Sequence, residues 1–380
     1  MRIAIDYTPA IRQAAGIGRL TRHLINQLLL LDAPHTYRLF VSGPLSEGWA
    51  RPDEWPANVQ MRPTRIPERW LTILWHRLRI GWPAEAFVGR CDLFHATDFE
   101  LPPVTNARTI VTVHDLSFLR FPECAHPTLE AYLKTVVPRS LARADHVLAD
   151  SFATKNDLVE LLGVDADRVS VIYGGIEARF NPKAESAADT ICRQTYDLDR
   201  PYILSLGTVE PRKNYKRLIR AYAALRDAEG DHLPQLVIAG GKGWLYHSIF
   251  ATVDQLGLRE HVRFLGYVHD AHLPSLYRGA ELFVFPSLYE GFGFPPLEAM
   301  ASGCPVVCSN SSSLPEVVGD AAITIDPHDE DALAAGISVG LSDSDRRTNC
   351  IERGLRRATQ FTWETAAGEL LELYAQVRGS

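Results

Sequence analysis

The sequence predicts an α/β protein that contains two doubly wound, Rossmann-like parallel sheets. Short runs of β-branched and other apolar residues alternate along the chain with longer segments of helical periodicity. This alternation is typical of parallel strands joined by crossover helices. The chain has 380 residues, which is more than a domain with a single hydrophobic core usually contains and is typical of two domains. We therefore expect one sheet in each half of the chain.

The predicted strands form two series. The first comprises Arg2–Ile5, Tyr37–Val41, Leu93–His95, Thr109–Val113, His146–Ala149 and Val169–Ile172. The second comprises Tyr202–Leu206, Gln235–Ala239, Val262–Phe264, Leu282–Phe285, Pro305–Ser309 and Ala322–Ile325. Gly18–Leu31 has the helical period between the first two strands. The polar, turn-rich segment 178–201 separates the two series, which predicts a first domain over 1–185 and a second over 186–360.

Composition excludes several classes of protein. A net charge of -7 and a pI near 6.0 do not provide the basic face that nucleic acid requires. Asp6 interrupts the first apolar run, so the start of the chain is predicted to be a strand and not a signal peptide. No apolar run approaches the roughly 18 residues that span a bilayer, and the six cysteines are scattered. We expect a cytoplasmic protein with reduced thiols.

Two segments of the first domain are candidate sites. The motif A-A-G-I-G-R (Ala14–Arg19) is predicted to follow the first strand and open a helix. There, Gly16 and Gly18 would let backbone N–H groups approach an anion, although such glycines also serve packing alone. The motif T-V-H-D-L-S-F places His114 and Asp115 at the carboxyl end of a strand, the position where open α/β sheets bind ligands.

The first candidate site of the second domain is S-L-G-T-V-E-P-R-K-N (Ser205–Asn214). Gly207 follows the predicted strand, and Arg212 and Lys213 stand next to the following helix. Adjacent cations at such a corner suit a pyrophosphate, because they form charge-assisted hydrogen bonds with it. A solvated basic turn is the alternative. With Lys213 regarded as a surface cation, Lys213→Ala is expected to abolish activity and leave the fold intact.

The second is P-S-L-Y-E-G-F-G-F-P-P-L-E-A-M-A-S-G-C-P-V-V (Pro286–Val307). Glu290 lies in a glycine-rich loop, and Glu298 lies eight residues later, in a helix that two prolines open. Carboxylates here can accept hydrogen bonds from sugar hydroxyls, although Glu298 taken alone could serve only the helix dipole. The loop between them, formed by Gly291, Phe292, Gly293 and Phe294, would expose backbone N–H groups to the hydroxyl groups and phosphate of a sugar ligand.

At these motifs the chain resembles the retaining glycosyltransferases of family 4, which have the GT-B fold. The resemblance also includes S-S-L-P-E-V-V-G-D-A-A (Ser312–Ala322) and F-T-W-E-T (Phe361–Thr365), and it covers nearly the whole chain. It implies two domains that face each other across a catalytic cleft. It also implies a nucleotide-sugar donor, a glycan or lipid-linked acceptor and no metal or other cofactor. The segment 361–380 would return to the first domain.

The resemblance also implies roles for single residues. Arg212 and Lys213 would hold the pyrophosphate, Glu290 the sugar hydroxyls and Glu298 the ribose, while His114 would lie beside the donor sugar. The glycines Gly16 and Gly18 would approach phosphate or acceptor. Many relatives have a basic residue directly after the glycine of the second-domain loop, whereas Thr208 follows Gly207 here.

The motifs are most similar to those of bacterial enzymes that use GDP-mannose, so mannose is the expected sugar. UDP-sugars are the first alternative, followed by a nucleotide-sugar epimerase and by a non-catalytic nucleotide-sugar binding protein. Two aspartate triplets, Asp165–Asp167 and Asp197–Asp199, resemble metal-binding motifs, but they lie before strands and are interpreted as solvated turns.

The segment 65–83 has apolar residues at helical spacing and interspersed arginines. The apolar positions are Trp70, Ile73, Leu74 and Leu78. One interpretation is a helix that covers the core while its arginines reach solvent. The other is a peripheral contact with an anionic membrane.

Overall fold

The computed structural model describes residues 1–14, 16–31, 34–45 and 49–379, and the chain divides into two compact units. Unit 1 comprises Met1–Arg120, Pro127–Gly175 and Thr362–Ser380, and unit 2 comprises Phe121–His126 and Ile176–Phe361. Apart from the short segment Phe121–His126, unit 2 begins at Ile176, ahead of the boundary expected after residue 185. Ala15, which is part of the predicted glycine motif, lies outside the described residues.

The described residues of unit 1 form a seven-stranded parallel sheet with the order β3-β2-β1-β4-β5-β6-β7. Its strands are β1 (Arg2–Asp6), β2 (Thr36–Val41), β3 (Val59–Pro63), β4 (Leu93–Ala96), β5 (Arg108–Val113), β6 (His146–Ala149) and β7 (Val169–Val171). In the register, Ile3 lies opposite Tyr37 on one side and Leu93 on the other. The six strands predicted for this half are confirmed. β3 was missed because it is a largely exposed edge strand with few apolar residues.

Helices of unit 1 cover the sheet. In the first part of the chain they are α1 (Thr8–Arg12), α2 (Gly16–Leu30), α3 (Glu68–Thr72), α4 (Glu85–Val88), α5 (Ser117–Arg120), α6 (Pro127–Arg143) and α7 (Phe152–Leu162). Leu20, Leu24 and Leu28 are buried along one face of α2, as the helical period predicts. The glycine motif does not follow the first strand directly, because α1 intervenes.

The segment 65–83 does not form the single helix that its spacing suggests. After α3 the chain continues as a π-helix over Ile73–Arg77. Leu71 and Trp75 are buried in the core of unit 1, and Leu74 packs against it. Trp70 and Leu78, which the periodicity placed on the same face, are 47% and 62% exposed. The segment therefore covers the core with one side and presents apolar side chains to solvent with the other.

The described residues of unit 2 form a six-stranded parallel sheet with the order β10-β9-β8-β11-β12-β13. Its strands are β8 (Tyr202–Leu206), β9 (Gln235–Ala239), β10 (Val262–Gly266), β11 (Leu282–Phe285), β12 (Val306–Ser309) and β13 (Ile323–Ile325). Its helices are α8 (Ser186–Tyr196), α9 (Tyr215–Glu229), α10 (His247–Gln255), α11 (Leu273–Arg278), α12 (Phe294–Ala301), α13 (Leu314–Val318), α14 (Glu330–Ser342) and α15 (Ser344–Ala358). All six strands predicted for this half are confirmed within two residues at their ends.

The last helix, α16 (Trp363–Gly379), packs on α2 in unit 1. Its buried face includes Leu370, Leu373 and Tyr374, whereas Leu371, which the sequence placed on this face, is only half-buried. The Tyr374 hydroxyl is hydrogen-bonded to His95 Nδ1 at 2.7 Å. Burial lowers the pKa of His95 to about 3, so this imidazole is neutral and joins helix and sheet without a charge.

Each sheet has one point at which the strand order reverses. In unit 1 it lies between β1 and β4, and in unit 2 between β8 and β11. Open α/β sheets bind ligands at the carboxyl ends of the strands that flank such a switch point, because the following loops diverge there and leave a crevice. The topology therefore singles out the loops that follow these four strands.

Candidate active site

A cluster of four charged side chains lies at the switch point of unit 2. The loop after β8 supplies Glu210, Arg212 and Lys213, and the loop after β11 supplies Glu290. Lys213 Nζ lies 2.6 Å from Glu290 Oε1, and Arg212 Nη1 lies 3.0 Å from Glu290 Oε2. Arg212 Nη2 also donates to Glu210 Oε1 at 2.9 Å. The three catalytic residues predicted in this half thus meet in one place, although 77 positions separate Lys213 from Glu290.

The cluster is largely buried. Lys213 is 9% exposed, Glu290 8% and Glu210 2%. Burial alone would raise the pKa of the Glu290 carboxyl, but Arg212 and Lys213 outweigh it and lower the pKa to about 2. The pKa of Glu210 is raised, mainly by burial. Glu290 is therefore a carboxylate at neutral pH, held between two cations, and can accept further hydrogen bonds from hydroxyl groups.

Glycines provide the space that the cluster needs. Gly207 has a φ of +150°, and a Cβ there would lie 3.1 Å from Lys213 Cε. Its carbonyl accepts a hydrogen bond from the Tyr215 hydroxyl at 3.0 Å. A Cβ on Gly240, in the loop after β9, would lie 2.0 Å from the Gly207 carbonyl oxygen. These contacts explain why a glycine follows β8, and they give Gly207 a structural role in addition to the predicted donor contact.

Several short polar side chains hold the Glu290 loop in place. Ser287 Oγ donates to Glu290 Oε1, Ser313 Oγ donates to the Glu290 carbonyl, and the Glu290 N–H donates to Ser312 Oγ. Asn214, in the left-handed conformation with a φ of 60°, donates to the carbonyls of Pro286 and Pro327. Sequence reasoning assigned no role to these residues. The run Ser311–Ser313 after β12 was the available signal, because serines in such turns hold loops by bonding to the backbone.

The donor-binding loop predicted between the two glutamates leads into α12. Gly293 is the residue before α12 and has a φ of 127°, and a Cβ there would lie 2.9 Å from Leu314 Cδ2. Phe292 is buried and its ring meets Phe294 edge to face at 4.9 Å. Gly291 is half-buried. The phenyl rings therefore pack within unit 2, so backbone N–H groups are the loop's available donors to an anion.

Glu298 is buried in α12. It is 1% exposed within α12 and accepts a hydrogen bond from the Tyr277 hydroxyl at 2.9 Å. This position is four residues beyond the start of the helix. Its predicted role at the ribose stays a prediction.

The two predicted glycines of unit 1 differ in their surroundings. A Cβ on Gly18 would lie 2.0 Å from the Gln13 carbonyl oxygen, so this glycine is required for packing. Gly16 is exposed at the first residue of α2, and a Cβ there would have no atom within 4 Å among the described residues. Packing therefore explains Gly18, whereas Gly16 is open to a ligand at the N-terminus of a long helix.

His114 lies at the carboxyl end of β5, as predicted, and both of its ring nitrogens have partners. Nδ1 lies 2.7 Å from Asp150 Oδ2, and Nε2 lies 2.9 Å from the Thr97 carbonyl oxygen. Burial lowers the pKa of this imidazole, but the ion pair with Asp150 and the negative charge of Asp98 outweigh it and raise the pKa to about 9. The residue is thus an imidazolium with both protons engaged. Asp150 was missed because it follows another strand, β6.

The aspartate triplets serve turns, as predicted. Asp165 Oδ1 accepts from the Asp167 N–H at 3.0 Å, and Asp197 ends α8 in the left-handed conformation. Across the described ranges, no group of three or more His, Cys, Asp or Glu side chains is arranged to hold a metal ion. Over the same ranges, no helix is long and apolar enough to cross a membrane.

Comparison with known proteins assigns both halves of the chain. The model of the family described as Glycosyltransferase Family 4 matches residues 14–180. The model described as Glycosyl transferases group 1 matches residues 191–357. The chain is 36% identical over 383 aligned positions to O-antigen chain mannosyltransferase B of Escherichia coli, covering 98% of this chain and 99% of that protein.

Solved structures support the fold. Sucrose-phosphate synthase from Thermosynechococcus elongatus matches 99% of each chain with a TM-score of 0.76 at 21% identity. HepE of Anabaena, solved in complex with UDP and glucose, matches 99% of each chain with a TM-score of 0.71 at 18% identity. At these identities the two structures support only the fold, with its two domains.

Proposed function

The chain belongs to glycosyltransferase family 4 and is a glycosyltransferase with the GT-B fold, and we propose that it transfers mannose from GDP-mannose. The acceptor is a glycan or a lipid-linked glycan, and the anomeric configuration is retained. The observation that carries the proposal is the pair of cations at the switch point of unit 2. The mannosyl specificity is supported by the relative that is 36% identical over nearly its whole length.

The charged cluster suits the departure of a nucleoside diphosphate. When the bond between the anomeric carbon and the β-phosphate breaks, negative charge develops on the phosphate oxygens. Lys213 and Arg212 are held in place before the reaction by Glu290 and Glu210, so little reorganisation is needed at that moment. One preorganised donor of this kind is typically worth about 3 kcal/mol of transition-state stabilisation.

Glu290 has a second task in this proposal. The Lys213 ammonium carries three protons, and one of them is donated to Glu290, which orients the group. Because its pKa is lowered to about 2, Glu290 stays ionised and can also accept hydrogen bonds from hydroxyls of the transferred sugar. No step requires Glu290 as a nucleophile. In the front-face reaction that the family implies, the leaving phosphate takes the proton of the acceptor hydroxyl.

The nucleotide is tested by binding. Calorimetry with GDP and UDP on the whole chain should give clearly tighter binding of GDP, and GDP should raise the unfolding temperature more than UDP, since ligands stabilise the folded state by mass action. Tight UDP binding without GDP binding would replace the proposal by its first alternative, a UDP-sugar-dependent transferase. NMR of the product's anomeric carbon then tests retention, and an inverted linkage would refute it.

We also propose that transfer needs no divalent metal, because both aspartate triplets are used in turns. Turnover should survive excess chelator. Complete loss on chelation that magnesium or manganese restores would refute this. Two other functions are separated by product analysis: an epimerase would convert the donor without any acceptor, and a non-catalytic binding protein would leave it unchanged.

The exposed side of the segment 65–83 supports a contact with an anionic membrane that carries the acceptor. Trp70, Leu78 and Trp82 are each more than 40% exposed, and Arg77 and Arg79 are exposed beside them. Aromatic and aliphatic side chains with neighbouring arginines match an interfacial membrane site, whereas the whole chain is acidic.

Sedimentation with vesicles tests this contact. The wild type should bind vesicles rich in phosphatidylglycerol more strongly than phosphatidylcholine vesicles, and the double variant Trp70→Ser and Leu78→Ser should lose that binding. Ile191→Ser is the matched control, because Ile191 is 54% exposed in unit 2. Equal sedimentation of the double variant and the wild type would contradict the proposal.

A further inference from the structure

Unit 1 contains a cavity of about 340 Å³ that the donor chemistry does not use. It lies at the carboxyl ends of three adjacent strands, with Ser42 after β2, Asp6 at the end of β1, and Asp98 and Glu100 after β4. β1 and β4 flank the switch point of this sheet, the position at which such sheets bind ligands. Its volume falls in the range of roughly 300–1,000 Å³ that small-molecule sites occupy.

The lining of the cavity is acidic. Asp6, Glu68, Asp98 and Glu100 contribute carboxyl groups, and none of the described lining residues is a lysine or an arginine. Burial raises the pKa of Asp6 to about 6 and that of Glu100 to about 7, as expected where no cation compensates the charge. An anionic ligand would meet repulsion and desolvation here.

The histidine among the lining residues adds no positive charge at neutral pH. Burial and the nearby Arg143 and Arg139 lower the pKa of His76 to about 4, and its Nε2 lies 3.2 Å from Glu100 Oε2. A phosphate or a carboxylate on a ligand would therefore find no cationic partner among the side chains that line the cavity.

A second observation points to a ligand with hydroxyl groups. The Ser42 side chain is buried, with the residue 5% exposed, and its Oγ has no hydrogen-bond partner among the described residues. Buried polar groups are nearly always satisfied, so such an exception requires a reason. Ser42 lines the cavity, where a bound hydroxyl group can supply the missing bond.

The apolar part of the lining completes the chemistry. The rings of Trp75 and Phe99 are buried at the cavity, and they offer surfaces on which the C–H face of a sugar ring can pack. The cavity thus combines carboxylate oxygens that can accept hydrogen bonds from hydroxyl groups, a serine without a hydrogen-bond partner among the described residues, and aromatic rings. This combination suits a polyhydroxylated ligand without negative charge.

We propose that this cavity binds the uncharged terminal sugar of the acceptor glycan, with Asp98 and Ser42 as specificity-determining contacts. The proposal rests on the glycosyltransferase function proposed above and names the acceptor class: a neutral sugar end, not one that carries phosphate or a uronic acid. Asp98 is held in position by Gln13, whose Nε2 donates to Asp98 Oδ2 at 2.8 Å, so its other oxygen can accept from a hydroxyl group.

Binding of two matched probes to the whole chain, with no donor present, tests the proposal. The probes are a neutral mannose trisaccharide and the same trisaccharide with a phosphate on its terminal 6-hydroxyl, each titrated by saturation-transfer NMR. The neutral probe should bind at least about tenfold more tightly. Ser42→Ala should weaken it about three- to tenfold, the effect of one hydrogen bond, and Asp98→Asn should reduce the discrimination against phosphate.

Ser302→Ala is the matched control, because Ser302 is also buried, has an Oγ without a partner among the described residues, and lies in unit 2. It should leave the binding of both probes unchanged. Equal or tighter binding of the phosphorylated probe, or an unchanged affinity of Ser42→Ala for the neutral one, would overturn the proposal. GDP binding measured on the same samples reports the donor site separately. Its loss contradicts the proposed function, whereas intact GDP binding without trisaccharide binding overturns only the acceptor site.

Discussion

Removal of the Lys213 side chain tests the charged cluster most directly. The sequence alone suggested that Lys213→Ala would leave the fold intact, since a loop cation was expected at the surface. The structure shows instead that Lys213 is 9% exposed and 2.6 Å from the buried Glu290 carboxylate. The substitution should therefore abolish transfer and also destabilise unit 2.

The expected loss of stability follows from the partners that remain. Removing one member of a buried ion pair typically costs about 3–5 kcal/mol, because the other charge is left uncompensated. Glu290 keeps Arg212 at 3.0 Å and the Ser287 hydroxyl, so its charge stays partly compensated and we expect a loss at or just below the lower limit of that range, about 2–3 kcal/mol. The lost contact between Lys213 Nζ and the Phe285 ring, at 4.9 Å, adds about 0.5–1 kcal/mol.

Urea unfolding of Lys213→Ala, Glu290→Gln and the double variant measures this energy. The double variant should be more stable than the sum of the two single losses predicts, because it no longer contains the uncompensated charge. The Glu290 pKa of about 2 lies below its ordinary value of 4.5. Its contribution to the free energy of unfolding is therefore present above pH 4.5 and lost as the pH falls towards 2, and Glu290→Gln should lack this part of the pH dependence.

Three results would refute this reasoning. Wild-type stability of Lys213→Ala, or strictly additive losses in the double variant, would show that the pair is not coupled as the distances indicate. Near-wild-type turnover of a folded Lys213→Ala would show that Lys213 does not stabilise the leaving pyrophosphate.

Three further predictions concern the other site residues. Glu290→Gln should reduce turnover more than GDP binding, whereas Glu298→Gln should reduce GDP binding more than turnover. Equal losses for the two variants in calorimetry and kinetics would contradict these separate roles. The raised pKa of His114, about 9 against an ordinary 6.5, contributes stability below pH 6.5 that is lost as the pH rises through 9. His114→Gln should flatten that slope in denaturant unfolding, and an unchanged slope would count against the ion pair. Gly18→Ala should destabilise unit 1 by about 1–3 kcal/mol, because the added methyl group is overpacked against the Gln13 carbonyl. Gly16→Ala should unfold like the wild type. Equal changes in unfolding temperature for the two variants would contradict the difference in packing.

Much of the fold was determined by the sequence alone. Strands such as Tyr202–Leu206 and Gln235–Ala239 were predicted to the residue because a parallel sheet is covered on both faces, so its strands appear as continuous apolar runs. The motifs around Lys213 and Glu290 were visible for a related reason: each lies directly after such a run, and the carboxyl ends of parallel strands share one edge of the sheet. These predictions depend only on residues that are close to one another in the sequence.

Tertiary structure decided which side chains meet and how deeply they are buried. The cationic partners of Glu290 lie in another loop, 77 and 78 positions earlier. Asp150 meets His114 from the end of the next strand, 36 positions later. The same holds for the unsatisfied Ser42 hydroxyl at the cavity of unit 1. Periodicity records the burial of one element along its own axis, whereas the pairing of two loops depends on strand order. Strand order is fixed only when the whole sheet assembles. For this reason Lys213, which the sequence placed at the surface, is a buried partner of the Glu290 carboxylate.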